Sequence, residues 1–492
     1  MNDNILNYEL QIEFNSAMSL YKDRMFQNSQ EKFEYILQYS PNHSDTLAML
    51  GVIQSFSKNY KLAIQLTTRA IKSNPRNEKL YNTRGYYNIS IGKFNEGIVD
   101  YKKAIKLNQN YTEAYNNYAM ALKDTMQWEN ALNIINKAIN INNKISILHV
   151  TKGKILLDLQ LLGLSIKSLD TALQINSKDY NALYTKSLSL IMNKQISDGW
   201  QLYEHRWKTN AVNSSFLKTD KPLWNGSNAY KNILVWKEQG IGDEIMCSSL
   251  INDLAKHCNR IYLLVDIRLI TLYKRSFSSN VILIDPREPL DDLEYDAHIP
   301  IFSLPLHFKL DPNNYIDGKK FLYANKLTTD KMKKKIQNEN HKKICGISWK
   351  SGSNTDGNAR TIDLLKFIKL LDNGNLIFVN LQYGATAAEI DLVEKKLGIK
   401  IFNKDLVDNK NDIDGLASII EACDVVVSID SATVHLAGAL GKDTHVILPF
   451  KSDFRWMADV NKSIWYNSIT LYRQKRDLRW DNMLKEIKHN IQ

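Results

Sequence analysis

At 492 residues the chain is too long for a single hydrophobic core, so two or three domains are expected. Its composition is that of an ordinary globular protein, and no apolar run is long enough to cross a bilayer. The net charge of +11 permits phosphate, acidic glycan or lipid headgroup ligands. The densest lysine run, around residues 331–343, predicts a solvated helix or linker, and it lacks the interleaved aromatic residues that stack bases, which argues against nucleic acid.

The cysteines and the first residues bear on where the protein works. The four cysteines are widely spaced and form no Cys-x-x-Cys pair, which predicts free thiols rather than a zinc site or a disulfide framework. Two of them, Cys345 and Cys423, lie in apolar runs as expected of core residues. Residues 1–10 are polar and lack the layout of a secretion signal. We expect a cytoplasmic protein, and the sequence leaves open whether it associates with the periphery of the inner membrane.

Residues 7 to 190 repeat with a period of 34 residues. Pro41 and Pro75 are 34 residues apart, and the same step leads to polar turns at Gln109, Asn143 and Ser177. Small side chains at fixed points let paired helices pack closely, and the turn ends the second helix before the next unit begins. Two more positions of the unit recur with the same period. The first is mostly alanine: Ile36, Ala70, Ala104, Ala138 and Ala172. The second is always a small residue: Ala17, Gly51, Gly85, Ala119, Gly153 and Ser187.

This pattern resembles the tetratricopeptide repeat, which has the same period and the same small positions. The resemblance implies an α-helical solenoid over residues 1–210 whose concave groove binds a protein partner or the acceptor. It places Asn82, Tyr86 and Asn116 in that groove, although polar residues on a helix surface are usually only solvated. The segment from Asp198 to Trp207 predicts an amphipathic helix that closes the last repeat.

After residue 222, short β-rich runs alternate with helical stretches. This alternation predicts parallel strands covered by helices on both faces, and the lysine-rich run divides the strands into two groups. We therefore expect two doubly wound domains facing each other across a cleft, with ligands at the carboxyl ends of the strands. The predicted strands are Ile233–Trp236, Ile261–Val265, Val281–Ile284, Ile344–Trp349, Leu376–Leu381, Val425–Ile429 and Val446–Leu448; the predicted helices are Glu244–His257, Leu364–Leu371, Ala387–Leu397, Gly415–Ala422 and Thr433–Leu440.

The first loop of interest, residues 237–244, follows the first of these strands. Gly240 and Gly242 permit a tight turn and a close approach of another backbone, and Asp243 lies at the start of the next helix. An ordinary strand-to-helix turn with an aspartate cap has the same residues, so that alternative stays open. The third glycine of a dinucleotide fingerprint is missing, which excludes a Rossmann dehydrogenase.

The second loop contains Lys350, Ser351 and Gly352, and Arg360 follows further along. Hydroxyl, backbone N–H and cationic groups at the end of a strand suit a diphosphate. The P-loop spacing is absent, and a polar loop without a ligand is an equally good interpretation of these residues alone.

The third loop joins the strand Val425–Ile429 to a helix that begins at once. Small residues in the first turn of that helix leave its backbone N–H groups open to an anion such as pyrophosphate. Capping of the helix, or a structural role for the histidine, are the alternatives. The residues concerned are Asp430, Ser431, Ala432, Thr433 and His435.

Together the three loops resemble glycosyltransferase family nine, which contains the bacterial heptosyltransferases and tetratricopeptide-linked relatives. The ordered matches are GIGDE after the first strand, WKSG with a later arginine, DSATVHLAGALGK near the end, and an aromatic and basic tail from Phe454 to Gln474. The likeness spans residues 222 to 480. The chain departs from the family at residues 430–432, where DTG or DTS is frequent, and at Lys442-Asp443, where Lys-Pro is usual.

The resemblance implies a GT-B fold of two Rossmann-like domains, with an acceptor domain at residues 222–335 and a donor domain at residues 342–492. It also implies inverting transfer of a hexose or heptose from a nucleoside-diphosphate sugar to an acceptor hydroxyl, with no cofactor and no metal. By this likeness Asp243 is the general base. The donor-binding residues that the likeness implies are Gly240, Gly242, Lys350, Ser351, Gly352, Arg360, Gln382, Asp430, Ser431, Ala432, Thr433 and His435.

Two rival interpretations accompany this hypothesis. The triplet Asp412-Ile413-Asp414 matches the Asp-x-Asp of metal-dependent transferases, but it precedes a predicted helix, where acidic caps are common. The second rival is a tetratricopeptide protein-binding scaffold whose transferase half has decayed; the retention of all three loops favours activity. The sequence specifies neither the sugar, nor the nucleotide base, nor whether the acceptor is a protein, a lipid-linked glycan or a polysaccharide.

Overall fold

The computed structural model describes residues 3–212, 214–290, 292–308, 319–337, 341–352, 357–384, 386–402 and 407–491. The chain forms two compact units, Met1–Thr185 and Lys186–Gln492, here called the repeat unit and the α/β unit. The boundary between them falls within one helix, Tyr180–Met192. The domain boundaries proposed from the sequence, at residues 210, 222, 335 and 342, stay predictions.

The repeat unit consists of helix pairs in which each helix packs mainly against its neighbours along the chain. The small periodic residues are buried where paired helices cross, as predicted. A methyl group added to Gly85 would lie 2.7 Å from the Tyr101 ring, and one added to Gly153 would lie 2.7 Å from the Leu169 side chain. The helices are α1 (Asp3–Lys22), α2 (Phe26–Tyr39), α3 (Ser44–Phe56), α4 (Tyr60–Ser73), α5 (Glu78–Ser90), α6 (Phe94–Leu107), α7 (Thr112–Asp124), α8 (Trp128–Ile141), α9 (Ser146–Asp158), α10 (Leu162–Ile175) and the boundary helix α11 (Tyr180–Met192).

One residue in the left-handed conformation ends the first helix of each pair. The N–H of the following residue then bonds to the carbonyl five residues back, as Met25 does to Leu20 and Leu161 to Leu156, both at 2.9 Å. Only one of these left-handed residues is glycine, so helix packing imposes the conformation on the others, at about 1–2 kcal/mol each. They recur every 34 residues: Arg24, Lys58, Gly92, Met126, Gln160 and, in the α/β unit, Lys194.

The first helix that lies wholly within the α/β unit is the amphipathic one predicted from residues 198–207. This helix, α12 (Ile196–Tyr203), continues into a 3-10 helix at Glu204–Lys208. Trp200 and Tyr203 are buried, and their rings contact Phe302 and Phe454. The helix therefore contributes to the core of the α/β unit.

Two parallel sheets of four and six strands form the framework of the α/β unit in the described residues. The strands are β1 (Asn232–Trp236), β2 (Arg260–Leu264), β3 (Val281–Ile284), β4 (Ala297–Pro300), β5 (Lys343–Ser348), β6 (Leu376–Asn380), β7 (Ile401–Phe402), β8 (Val425–Ile429), β9 (Thr444–Leu448) and β10 (Ile469–Arg473). The first sheet has the order β3-β2-β1-β4 and the second β10-β9-β8-β5-β6-β7. All seven predicted strands are present, while β4, β7 and β10 were not predicted.

Helices connect these strands, and one predicted helix was wrong. The segment 244–257 forms two short helices instead of one, because the hydroxyls of Ser248 and Ser249 donate to the carbonyls of Ile245 and Met246, both at 2.7 Å, and compete with the helical ladder. The helices are α13 (Ile241–Ser248), α14 (Ile251–Leu254), α15 (Ile270–Ser276), α16 (Leu304–His307), α17 (Lys326–Gln337), α18 (Gly357–Arg360), α19 (Leu364–Leu371), α20 (Ala387–Leu397), α21 (Ile413–Ala422), α22 (Ala432–Ala439) and α23 (Asp481–Asn490).

The strand order reverses once in each sheet. In the first sheet the reversal lies between β1 and β4, and in the second it lies between β5 and β8. Loops that leave the carboxyl ends of such strand pairs diverge to opposite faces of the sheet and open a crevice for a ligand. The first predicted loop follows β1, and the second and third follow β5 and β8, so all three lie at these reversals.

Three further expectations can be compared with the fold. The lysine-rich run lies partly on α17, where Lys331, Lys334 and Lys335 are exposed, which confirms the solvated helix. Cys345 and Cys423 are buried in the second sheet's layers, as predicted, and the four cysteines are free thiols. Within the described ranges, every helix falls short of the length and apolarity needed to cross a membrane.

Candidate active site

The first loop turns sharply from β1 into α13. Gln239 adopts a φ of 61°, and its side-chain amide donates to the Tyr203 hydroxyl at 3.0 Å. Gly240 is the N-cap of α13, and Asp243 Oδ2 accepts the Gly240 N–H at 3.2 Å. The capping role that the sequence left open for Asp243 is therefore present, and it engages one of the two carboxylate oxygens.

The other oxygen of Asp243 contacts an arginine from the second sheet's loops. Arg455 follows β9, and its Nη2 lies 2.5 Å from Asp243 Oδ1, while its Nη1 lies 2.6 Å from Asp453 Oδ1. The Asp243 side chain is 18% exposed and that of Arg455 12%. Burial raises the pKa of the Asp243 carboxyl, Arg455 opposes that rise, and Asp453 adds to it.

Gln382, at the end of β6, organises the second loop. Its Oε1 accepts the Ser348 hydroxyl at 2.9 Å and the backbone N–H groups of Trp349 and Lys350 at 3.1 and 3.0 Å. Gln382 is also almost fully buried. The structure thus uses this side chain to shape the loop, and direct contact with a donor stays a prediction.

The remaining residues of the second loop lie near the surface. The Lys350 ammonium pairs with Glu389 on α20. The Ser351 N–H donates to the Thr361 hydroxyl at 3.3 Å, and Gly352 is exposed. This loop therefore has a cation, a hydroxyl and backbone groups beyond the carboxyl end of β5, and the cation is paired with Glu389.

Asp430 ends β8 and joins the second loop to the third. Its buried carboxylate accepts Arg360 Nη1 at 3.2 Å. Burial raises the pKa of the Asp430 carboxyl, and Arg360 opposes that rise. Ser431 is the N-cap of α22, but its hydroxyl makes no capping bond to that helix, so its side chain does not compete for the N–H groups of the first turn, at Ala432 and Thr433.

The first and third loops meet directly. A methyl group added to Gly242 would lie 3.1 Å from Ala432 Cα and 3.1 Å from His435 Cδ2. A side chain at this position would require the neighbouring atoms to shift by a few tenths of an ångström, so glycine favours this close approach of α13 to α22. The structure therefore brings Asp243 close to the first turn of α22. From the sequence, this proximity could be expected only through the resemblance to the glycosyltransferase family.

His435 is a buried member of α22 beside this contact. Its ring stacks on Trp456, with centroids 5.2 Å apart and an interplanar angle of 14°, and its Nδ1 lies 3.2 Å from the Tyr466 hydroxyl. Burial lowers the pKa of His435 to about 3, and the nearby charge of Arg455 adds to the effect. The ring is neutral at physiological pH and supports the start of α22; its contact with a donor stays a prediction.

A buried ion-pair network adjoining the first loop was missed by the sequence reasoning. Arg206 donates from Nε and Nη2 to Glu238 at 3.0 and 2.8 Å, and both side chains are 0% exposed. Arg206 also contacts Glu204 at 2.7 Å and the Ser303 hydroxyl at 2.9 Å. The network links Glu238, after β1, to Arg206, after α12, and to Ser303, after β4. β1 and β4 are the two strands between which the order of the first sheet reverses.

Arg455 is likewise absent from the predicted site. The available signal was its place in the aromatic and basic tail that contributes to the family resemblance. A tail motif does not reveal its contact, however, because Asp243 lies more than two hundred residues earlier in the chain.

The Asp-x-Asp triplet has structural partners. Asp412 caps α21 by accepting the Gly415 N–H at 2.8 Å, and Asp414 pairs with Arg275. Across the part of the chain that the structure describes, no cluster of three or more His, Cys, Asp or Glu side chains is arranged to hold a metal ion.

The three residues proposed for the repeat groove differ in their surroundings. Asn82 is buried, and its amide contacts Tyr111, Glu113 and Asn117 at 3.0–3.2 Å. Tyr86 is 51% exposed and lies beside the rings of Tyr60 and Tyr87. The side-chain oxygen of Asn116 is buried without a hydrogen-bond partner among the described residues. Of the three, Tyr86 offers the largest accessible surface.

A tetratricopeptide repeat family model matches residues 78–111, which include α5 and α6. The repeat unit contains tetratricopeptide repeats. This confirms the interpretation of the 34-residue period, and such arrays are scaffolds whose extended surfaces bind other proteins.

Longer similarities also exist. The chain is 24% identical to protein FlbA of Caulobacter vibrioides over 440 residues, an alignment that covers 85% of this chain and 68% of FlbA. It is 40% identical over 78 residues to DnaJ homolog subfamily C member 7 of Homo sapiens, covering 15% of this chain and 16% of that protein. Among solved structures, a thermophilic TPR protein of Thermus thermophilus matches with a TM-score of 0.33 and 14% identity, covering 37% of this chain and 99% of that one.

Proposed function

We propose that the α/β unit is a GT-B glycosyltransferase that moves a sugar from a nucleoside-diphosphate sugar to an acceptor hydroxyl. In this proposal the tetratricopeptide repeats recruit the acceptor or a partner protein. The observation that carries it is the contact between loops from the two strand-order reversals, with Asp243 on one side and the first turn of α22 on the other. Ligands of doubly wound sheets bind at such reversals.

Asp243 is the proposed general base. It removes the proton of the acceptor hydroxyl as that oxygen forms a bond to the anomeric carbon; the bond from that carbon to the diphosphate oxygen breaks, and the nucleoside diphosphate leaves. Attack from the face opposite the leaving group inverts the anomeric configuration. A buried carboxylate suits this role because burial raises its pKa and with it its basicity.

The second and third loops are the proposed diphosphate site. Lys350 and Ser351 supply a cation and a hydroxyl, and the first turn of α22 supplies backbone N–H groups and the positive end of the helix dipole. These groups would stabilise the negative charge that develops on the leaving diphosphate, without a metal ion. Arg360 and Asp430 link the two loops and hold them in register.

A protein-binding scaffold without catalysis is the second candidate. The observation that favours it is that both oxygens of Asp243 already have partners, Gly240 and Arg455. In a transferase one of these contacts loosens when the acceptor arrives; in a scaffold both persist under all conditions.

Binding of nucleotides distinguishes the two candidates. The purified protein is heated with a panel of nucleoside diphosphates and their sugars, and one base is expected to raise the apparent stability by about 2.7 kcal/mol at a concentration of one hundred times Kd. No stabilisation by any member of the panel favours the scaffold.

Sugar transfer tests the proposed base. Asp243→Asn is expected to lose transfer while keeping the thermal shift with the donor. The matched control is Asp253→Asn, an aspartate on the nearby α14 that pairs with Lys256 at the surface, and it is expected to transfer normally. Full turnover by the Asp243 variant would remove this residue from the mechanism.

The repeats are tested by kinetics on acceptor and donor separately. Tyr86→Ala is expected to weaken use of the acceptor while leaving donor hydrolysis unchanged, since the change lies in the repeat unit. Val99→Ala, at an exposed apolar residue on α6, is the control. Equal loss of both reactions would contradict a recruiting role for the groove.

A further inference from the structure

The strongest unassigned feature of the α/β unit is the setting of Arg455. Asp453 caps the 3-10 helix Phe454–Trp456 by accepting the Arg455 N–H at 3.2 Å, so the backbone of this residue is fixed. Its guanidinium lies over the ring of Phe454 at 5.2 Å and that of Phe302 at 6.0 Å. With its backbone and its ring contacts fixed, the guanidinium places Nη1 on Asp453 and Nη2 on Asp243.

The contact with Asp243 fixes the carboxylate from two sides. Oδ2 accepts the Gly240 N–H, and Oδ1 contacts Arg455 at 2.5 Å. The two partners come from different sheets' loops, since Gly240 follows β1 and Arg455 follows β9. The carboxylate therefore keeps one orientation only while both loops are in place.

We propose that Arg455 is a positioning residue for Asp243, which holds the carboxylate aimed at the contact between α13 and α22. This inference rests on the proposed function for its use in catalysis, but the effect on Asp243 is a property of the folded protein alone. A general base must be ionised before it can accept a proton.

The charges around Asp243 explain why such a partner is needed. Burial favours the neutral acid, and the carboxylate of Asp453, from the loop after β9, favours it further. Cys247 on α13, Tyr466 before β10 and His435 on α22 also lie nearby, and burial keeps all three neutral because it raises the pKa of the first two and lowers that of His435. The carboxylate of Asp430, after β8, acts on Arg455 in addition. Arg455 is the charged neighbour that stabilises the ionised form, and the hydrogen bond from the Gly240 N–H adds to its effect.

The test measures the ionisation of Asp243 directly. Protein labelled with ¹³C at the aspartate carboxyl carbon is titrated by NMR, and the Asp243 signal is assigned by its loss in Asp243→Asn. Arg455→Gln is expected to raise the pKa of Asp243 by about one pH unit or more. Arg455→Lys keeps a cation and is expected to hold that pKa nearer to its original value.

Two more variants keep the test decisive. Asp453→Asn removes the competing carboxylate and is expected to lower the pKa of Asp243. Arg275→Gln removes another arginine–aspartate pair, between Arg275 on α15 and Asp414 on α21, and is expected to leave that pKa unchanged. If Arg455→Gln does not fold, Arg455→Lys and Asp453→Asn decide the question.

The outcomes separate this inference from the proposed function. An unchanged or lower pKa of Asp243 in Arg455→Gln, or an unchanged or higher one in Asp453→Asn, would overturn the positioning role whether or not the protein transfers a sugar. If transfer is found, the acid limb of its pH profile is expected to move to higher pH in Arg455→Gln. If no nucleotide binds but the pKa values move as expected, the proposed function fails and the positioning role stands.

Discussion

In the repeat unit each helix packs on its neighbours along the chain, whereas in the α/β unit the decisive contacts join residues far apart in sequence. Ser29 and Ser165 each donate to a carbonyl twelve residues earlier at 2.8 Å, one in the first helix pair and one in the fifth. Arg206 contacts Ser303 across 97 residues, and Arg455 reaches back to Asp243. We therefore expect a destabilising substitution in the repeat unit to affect mainly the neighbouring helices, and one at these contacts of the α/β unit to affect both sheets.

The largest expected effect concerns the buried pair of the α/β unit. Arg206→Met leaves Glu238 buried without its cation, which is expected to destabilise this unit by about 3–5 kcal/mol. Urea unfolding followed by amide hydrogen exchange measures each unit separately. Lys366→Met removes an exposed pair with Asp481 and is expected to cost about 1 kcal/mol or less. Equal loss of protection in the repeat unit after Arg206→Met would contradict the expectation that the effect is largest in the α/β unit.

A pH-dependent effect is expected at Glu244, which is buried on α13 and accepts the Asp266 N–H at 2.9 Å. Burial raises the pKa of its carboxyl to about 8. Because the folded state then holds a proton that the unfolded state releases near its ordinary pKa, this contribution is fully present at low pH and is lost as pH rises through about 8. The loss is on the order of 4 kcal/mol.

Glu244→Gln is expected to remove this contribution, so the stability of the variant relative to the original increases between pH 5 and pH 9. Thermal or urea unfolding at a series of pH values measures the difference. Glu394→Gln, at an exposed residue on α20, is the control and is expected to show no such trend. A constant difference across this range would show that Glu244 is ionised in the folded state.

The smallest expected effect tests the local character of the repeats. Gly85→Val introduces side-chain atoms within 2.7 Å of the Tyr101 ring and is expected to cost about 1–3 kcal/mol, confined to α5 and α6. Gly163→Ala, where no atom lies within 4 Å, is expected to be neutral or to stabilise α10 by up to about 1 kcal/mol. Hydrogen exchange that weakens equally in α9 and α10 after Gly85→Val would contradict a local response.

The predicted elements of the α/β unit show which signals a sequence carries. Apolar runs such as Val425–Ile429 were found because a strand buried on both faces has little choice but β-branched and aliphatic residues. β4 was missed because it is only four residues long and contains His298 and Pro300, and β7 has only two residues. The break between α13 and α14 was missed because it depends on serine hydroxyls that bond to helix carbonyls.

In the candidate site, too, some residues could be identified from the sequence and others could not. The glycines and the aspartate of the first loop were identified because their residue types limit what a turn can do, and Gly242 lies in close contact with Ala432. Gln382 was identified as a donor contact, but its side chain holds the second loop together. Arg206 and Arg455 were missed, because an arginine on its own gives no sign of which carboxylate it will meet.

The sequence by itself determined the 34-residue period, the close-packed small residues and the alternation of strands with helices, since these follow from contacts between residues near in the chain. Only the tertiary structure decided that Arg455 engages Asp243, that Arg206 neutralises Glu238 and that α13 meets α22 at Gly242. Such contacts depend on how two sheets are placed in space, and the ionisation of a carboxylate depends on the burial and the partners that result.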